Sequence, residues 1–378
     1  MVKALNKSLL IQELRERPNQ SRADLSKKTK LSKPCVSELV NELIKEGIVY
    51  ETGTGKSSGG RKPILLAFNP TSHFVVGAMF QNNRLFMVLA DMCGNWIQEE
   101  TYSFLLPAEG EDLIEMIEKG YFSLLGKQKI KCEKIVGMVL GLPGILSGMH
   151  DPLDFSPGIN WRGLDLKSEL ERRLSKDISI ENDVNMMALG ECRKEKGRSL
   201  QNMVYVFVGN GIGAGLIING HLYRGSYSAA GEIGHMVIGD LEGRHKKMGL
   251  FESNYGLMRL KERQAMLGFP YDDHTSAIEQ LQRTNDRQIA LYIDEVVFSW
   301  ARAVINIASM IDPERIILSG ELIHLNEFYY ARFIEYLHEF LPHCPKIEKT
   351  NLGFKAGLYG SIQLALRLYT KRALIINE

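Results

Sequence analysis

Lys33, Cys35, Ser37 and Glu38 lead a stretch of helical periodicity, and Arg61 and Lys62 stand in the run Ser57-Ser58-Gly59-Gly60-Arg61-Lys62-Pro63. Side chains of these types reach base edges from the first turns of a helix laid in a major groove. Cations extended between glycines and a proline can enter a narrow minor groove, where the negative potential attracts guanidinium groups. A protein-interaction domain is the competing reading of the helix, and a solvated linker that of the Gly-rich run. Charge separates them in part. Residues 1 to 70 hold 13 Lys and Arg against 7 Asp and Glu, so they carry +6 and the remainder −5 of a chain whose net charge is +1. Phosphate contacts and counterion release need clustered cations, so only this basic end suits a polyanion.

The elements that must position these groups follow from spacing. Leu5, Leu9, Ile11 and Leu14 predict an amphipathic first helix that Pro18-Asn19-Gln20 ends. Ser21 offers an N-cap to a second helix containing Ala23, Leu25 and Ser26, and Thr29-Lys30-Leu31 makes a turn. Ser32 caps a third helix with Pro34 in its first turn, a buried stripe of Val36, Leu39, Val40 and Leu43 continuing to Ile44, and a stop at Gly47. Ile48-Val49-Tyr50 and Ile64-Leu65-Leu66-Ala67-Phe68 predict a two-stranded wing with Arg61 and Lys62 at its tip. The candidate contacts to double-stranded operator DNA are Ser32, Lys33, Cys35, Ser37, Arg61 and Lys62.

The rest of the chain is ordinary globular sequence. With 378 residues, 44% hydrophobic and 24% charged, it suits two or three domains. No apolar run approaches a membrane span and the start Met1-Val2-Lys3-Ala4-Leu5-Asn6 lacks a signal-peptide core, so a cytoplasmic protein with no membrane partner is expected. Cys35, Cys93, Cys132, Cys192 and Cys344 are odd in number and never spaced Cys-x-x-Cys, and are read as buried, reduced thiols. From Phe74 onward strands and helices alternate: Phe74 to Ala78, Leu85 to Ala90, a helix near Leu113 to Leu125, then Ile135 to Leu140, which indicates α/β architecture. The run Val204 to Val208 leads into Gly209-Asn210-Gly211-Ile212-Gly213, a turn whose amides can hold phosphate or sugar oxygens.

Gly141-Leu142-Pro143-Gly144, Asn160-Trp161-Arg162-Gly163, Glu181-Asn182-Asp183, Gly209 to Gly213 and Gly231-Glu232-Ile233-Gly234-His235 occur in an order that resembles the ROK family of repressors and sugar kinases. Leu5-Asn6-Lys7 and Ser57-Ser58-Gly59-Gly60-Arg61 are most like its xylose-type repressors. The resemblance implies an α/β protein: a winged helix-turn-helix over residues 1–70, then a two-lobed actin-like body. Its first lobe would span 71–181, completed by a C-terminal helix at about 357–378, and its second lobe, with the sugar cleft and dimerisation surface, 182–356. It further implies sugar contacts at Asn182, Asp183, Glu232, His235 and Glu252, a monosaccharide effector (xylose or a hexose such as glucose), and a homodimer or tetramer. Read alone, Asp183 is equally a helix cap before Val184 to Leu189, and His235 is a satisfied core histidine.

Two departures from that family shape the functional expectation. In its kinases Asp183 would be the general base, and an Asp-x-Gly-Gly-Thr loop would hold the nucleotide phosphates. Here Met79 stands for the aspartate, Gln81 and Asn82 for the glycines and Asn83 for the threonine. Phosphoryl transfer depends on positioning phosphates and metal, so no ATP cofactor, catalytic residue or kinase activity is expected. Ser319-Gly320-Glu321 and Ala356-Gly357, near where the family holds adenosine, become structural remnants. Family zinc sites use a histidine and three cysteines. Gly243, His245 and Leu250 occupy the cysteine positions, and His235 alone cannot close a four-ligand site, so no metal is expected. The alternatives are a sugar kinase with a regulatory DNA-binding domain and a ligand-independent repressor.

Overall fold

The computed structural model describes residues 2–55, 62–81, 83–144, 159–161, 163–192, 200–238, 249–268, 271–272 and 275–375, with side chains through residue 368. Arg61, Asn82, Arg162, Gly243, His245 and most of the loop 240–250 lie outside the described residues.

The amino-terminal module comprises α1 (Val2–Glu16), β1 (Gln20–Ser21), α2 (Arg22–Thr29), α3 (Lys33–Lys45), β2 (Val49–Thr54) and β3 (Ile64–Phe68). The strands form an antiparallel sheet in the order β1-β3-β2, so the wing has a third, two-residue strand beyond the expected pair. Ser21 caps α2 in a reciprocal box: its hydroxyl accepts the Asp24 N–H at 3.2 Å and Asp24 accepts the Ser21 N–H at 3.1 Å. Lys30, left-handed at φ 60°, ends α2, and Ser32 caps α3 by accepting the Cys35 N–H at 3.4 Å. Val36, Leu39, Val40 and Leu43 are buried as the spacing predicts.

The first helix is rotated from its expected setting. Leu10, Ile11 and Leu14 are buried, whereas Leu5 is 62% and Leu9 38% exposed. The reason lies in α3: Lys3 bonds to Glu42 at 2.6 Å and Lys7 to Glu46 at 2.8 Å, which places positions 3, 7, 10, 11 and 14 on the packed face. Apolar spacing alone misses a face whose first turns are lysine stems. The cysteine expectation also needs correction. None of the thiols is buried: Cys93 and Cys132 lie exposed in turns, and Cys35, Cys192 and Cys344 are half-buried; all are unpaired.

The body repeats one sheet design twice. The first half runs β4 (Phe74–Gln81), β5 (Arg84–Asp91), β6 (Trp96–Ser103), β7 (Ala108–Glu109), α4 (Gly110–Gln128), β8 (Ile135–Leu142), β9 (Ile159–Asn160), α5 (Leu166–Leu174) and β10 (Ile178–Asn182). Its five-stranded sheet has the order β10-β8-β4-β5-β6, an antiparallel meander β4-β5-β6 followed outward by parallel β8 and β10. The second half runs α6 (Asp183–Glu191), β11 (Met203–Val208), β12 (Ile212–Ile218), β13 (His221–Leu222), α7 (Leu250–Tyr255), α8 (Leu257–Met266), α9 (Ala277–Leu281), α10 (Arg287–Ile311), β14 (Arg315–Gly320), α11 (Glu327–Phe340), β15 (Lys346–Lys349) and α12 (Lys355–Ile375). Its five-stranded sheet, β13-β12-β11-β14-β15, has the same meander and the same two parallel additions.

Helices α6 and α12 lie between the sheets, α6 against β12 and α12 against β4 and β8. Their backbones touch. At Gly190 a Cβ would strike the Ala356 carbonyl, and at Gly360 it would strike that of Met186, so only glycine permits this approach. Separate apolar cores fill the outer side of each sheet, under α4 and α5 in the first half and under α10 and α11 in the second. The central core runs from α6 and α12 into the winged module, with α1 seated on α12. Among the described residues no helix is long and apolar enough to cross a membrane.

Candidate functional site

Two surfaces gather the sequence-derived candidates. On the winged module, Ser32 and Lys33 are exposed at the start of α3. Ser37 is half-buried, and Cys35 turns partly inward onto the apolar core. Glu38 is exposed, 3.8 Å from Lys3. Lys62 is exposed at the loop end of the β2–β3 hairpin beside Arg22, around a shallow depression that Ser21, Ala23, Pro63 and Ile64 complete. Arg22, which spacing did not single out, is steadied by Asn41 at 3.1 Å and by Glu51 at 3.6 Å. The exposed N-terminal end of α3, where a helix meets a major groove, and this cationic pair, which leans on the later part of α3 through Asn41, make up the candidate DNA-binding face.

The second surface is an acidic cluster near the junction of the halves. β10 ends at Asn182, which rather than Asp183 is the N-cap of α6: its Oδ1 accepts the Asn185 N–H at 3.0 Å, and its Nδ2 donates to the Gly144 carbonyl at 3.0 Å. One end of this amide thus caps α6 and the other ties it to the Pro143-Gly144 turn after β8. Asp183 is the first helical residue and is buried; its Oδ1 accepts the Val184 N–H at 2.9 Å. Burial pushes its carboxyl up to about 6, against the pull of the backbone amides.

From the second half, Gly231 and the 3-10 turn Ile233–His235 present Glu232 and His235. Gly231 has φ +91°, and a Cβ there would strike the Ala214 carbonyl, so only glycine can press this loop onto β12. Glu232 is half-buried and is pushed up to about 7, first by burial and then by the charges of Glu252 and Asp183. Glu252, on α7, accepts the Ile212 N–H at 2.8 Å; burial raises its carboxyl, while that amide and His235 draw it down. His235 is exposed, not a core histidine.

The glycine-rich run supplies the β11–β12 hairpin turn with Gly209-Asn210-Gly211 and opens β12 with Ile212-Gly213. The Ile212 amide goes to the Glu252 carboxylate, and the Gly209 amide closes the turn on Gly211 at 2.9 Å. Asp183, Glu232 and Glu252 therefore converge electrostatically, with His235 beside Glu252. Such a set offers acceptors and one imidazole to a polyhydroxylated ligand. Among the described residues no group of three or more His, Cys, Asp or Glu side chains is placed to hold a metal ion.

Sequence spacing does not reveal how the cluster is held. Glu181, buried at the end of β10, accepts the Asn182 N–H at 3.0 Å and Asn185 Nδ2 at 3.0 Å on one oxygen. On the other it accepts Arg224 Nε at 2.7 Å. The only sequence signal was the position of Glu181 beside Asn182-Asp183.

Fold and site define the class: a winged helix-turn-helix DNA-binding module set ahead of an actin-like, sugar-kinase-type body. Residues 84–368 match the ROK family and residues 6–50 match winged helix-turn-helix DNA-binding domains, so the chain belongs to the ROK family. It is 28% identical to a xylose repressor of Caldicellulosiruptor bescii, over 97% of this chain and 96% of that protein. It is 31% identical to a xylose repressor of Bacillus subtilis, over 85% of this chain and 83% of that protein. Among solved structures it superposes on a ROK family transcriptional regulator, a homologue of the E. coli MLC protein, with TM-score 0.78, 18% identity and 100% of both chains covered.

Proposed function

We propose that this protein is a sugar-responsive transcriptional repressor of carbohydrate genes, binding operator DNA through α3 and the wing and modulated by a monosaccharide in the cleft of Asp183, Glu232, His235 and Glu252. The observation that carries the reading is the joining of an exposed, capped α3 head and a cationic wing to a cluster of raised carboxylates gathered where the second half meets the first. Sugar hydroxyls donate to carboxylates and accept from imidazole. Epimers are then discriminated by whether each buried polar group finds its partner. Asn182 supports the site from behind through its capping and turn contacts. Operator half-sites paired about a two-fold axis fit a homodimer. The sugar acts only through unequal affinity for DNA-competent and DNA-incompetent states.

The reading assigns no metal and no nucleotide. Supporting the latter, Met79 lies fully buried in β4 with its sulfur against Gly357 of α12, so apolar packing fills the place where the resemblance puts a phosphate-binding aspartate. A kinase reading rests on Asp183, whose raised carboxyl suits a general base. Incubation with ATP and a sugar panel tests it, sustained turnover abolished by Asp183→Asn being the result that would establish a kinase.

The deciding experiment is a thermal-shift screen of the full chain against pentoses, hexoses, amino sugars and their phosphates, followed by DNA affinity with and without each hit. A selective shift that also changes DNA affinity is expected. No shift with any sugar would move the assignment to a ligand-independent repressor.

A further inference from the structure

Arg224 follows β13, the edge strand of the second sheet, and Glu181 belongs to β10, the edge strand of the first. Their pairing therefore spans the two halves. Arg224 places Nε at 2.7 Å and Nη2 at 2.6 Å from Glu181 Oε2. The other carboxylate oxygen holds the Asn182 N–H and the Asn185 amide at the head of α6. The Arg224 carbonyl in turn accepts the Ala230 N–H at 3.1 Å, closing the loop that delivers Gly231 and Glu232. One ion pair thus ties the residue two places before Asp183 to the root of the loop carrying Glu232. Such a tie has work to do, because Asp183, Glu232 and Glu252 bring like charges together and their repulsion favours an opened cleft.

We propose that Arg224 is a positioning residue of the effector site, clasping Glu181 so that Asp183 at the head of α6 and the loop carrying Glu232 are held at sugar-binding separation before the sugar arrives. This rests on the sugar-cleft reading above. Arg224 contacts no ligand in this role. It acts through Glu181 and preorganises the cleft, so that less of the binding free energy goes into ordering it. A guanidinium suits the task because two of its N–H groups meet one carboxylate oxygen in a fixed plane, which a lysine ammonium cannot reproduce.

The test uses the full-length protein and the variants Arg224→Ala, Arg224→Lys, Glu181→Gln and Arg224→Ala/Glu181→Gln, titrated calorimetrically with D-xylose and D-glucose. For whichever sugar the parent binds, Arg224→Ala and Glu181→Gln are each expected to weaken binding about tenfold. The double variant should lose no more than the worse single one, and Arg224→Lys should recover part of the loss. Loss below threefold in a cooperatively folded Arg224→Ala protein, or losses that multiply in the double variant, overturns the proposal. If the parent binds neither sugar, the effector reading fails for these sugars and amide hydrogen exchange decides on the clasp. Protection of segments 182–190 and 224–232 falling together in Arg224→Lys and Glu181→Gln supports it, and loss confined to 224–232 overturns it.

Discussion

Asp183 and Glu232 carry carboxyls whose protonated forms the fold favours, since burial lifts the first from 3.8 to about 6, and burial with the charges of Glu252 and Asp183 lifts the second from 4.5 to about 7. A raised carboxyl contributes stability that is complete below the unfolded value and is lost as pH climbs through the folded one. The sugar-free protein is therefore expected to lose stability between about pH 4 and pH 7, with Asp183 alone accounting for on the order of 3 kcal/mol. Melting temperatures measured across that range should slope less steeply in Asp183→Asn and in Glu232→Gln than in the parent; parallel slopes would refute the assignment. Residue types at this site were legible, because Glu181-Asn182-Asp183 and Gly231-Glu232-Ile233-Gly234-His235 are contiguous strings. Their division of labour was not. Whether Asn182 or Asp183 caps α6 depends on which side chain reaches the Asn185 amide, and the ion pair of Glu181 joins residues forty-three apart in sequence.

The elements read from sequence with uneven success, and the difference is physical. α2 and α3 carry local signals, a capping box at Ser21 and a capped Pro turn at Ser32, so the spacing sufficed. α1 yielded only part of its buried face, Ile11 and Leu14, because its first turns pack on α3 through Lys3 and Lys7 and leave Leu5 and Leu9 exposed. β6, an edge strand with Gln98, Glu99 and Glu100 in its middle, offers no apolar run, and β1 is only two residues long. The capping of α3 makes a prediction that separates fold from recognition. Ser32→Ala removes the acceptor for the Cys35 N–H and should cost about 1 kcal/mol in the winged module. Lys62→Ala should instead leave stability unchanged, weaken DNA binding across sequences and lower the salt slope by about 1, whereas Lys33→Ala should alter sequence preference. Denaturant melts and binding to a randomised duplex pool at several salt concentrations distinguish the three; identical DNA-binding profiles for Lys62→Ala and Lys33→Ala would refute the division of the surface.

Across the whole molecule the two halves are matched sheets joined at a pair of closely packed helices, and the proposed function would route the signal from the acidic site to the winged module through that contact. α6 begins at the acidic site with Asp183 and packs on the second sheet; α12 packs on the first sheet and carries α1 on its flank. The alternation of strands and helices was enough to indicate α/β architecture, and the ordered motifs pointed to the actin-like arrangement. The contact itself left no motif, since Gly190 and Gly360 matter only because each lies against a carbonyl of the opposite helix. Gly190→Ala puts a methyl group against the Ala356 carbonyl, so the helices must separate or bend. Overpacking of this kind costs about 1–3 kcal/mol. Because each helix serves a different sheet, the loss should appear in both halves at once: a lower melting temperature, faster amide exchange in β4 and β12 alike, and a weaker response of DNA affinity to the sugar identified in the screen. Faster exchange confined to one sheet would mean that the halves are stabilised independently and that the packed helices do not couple them.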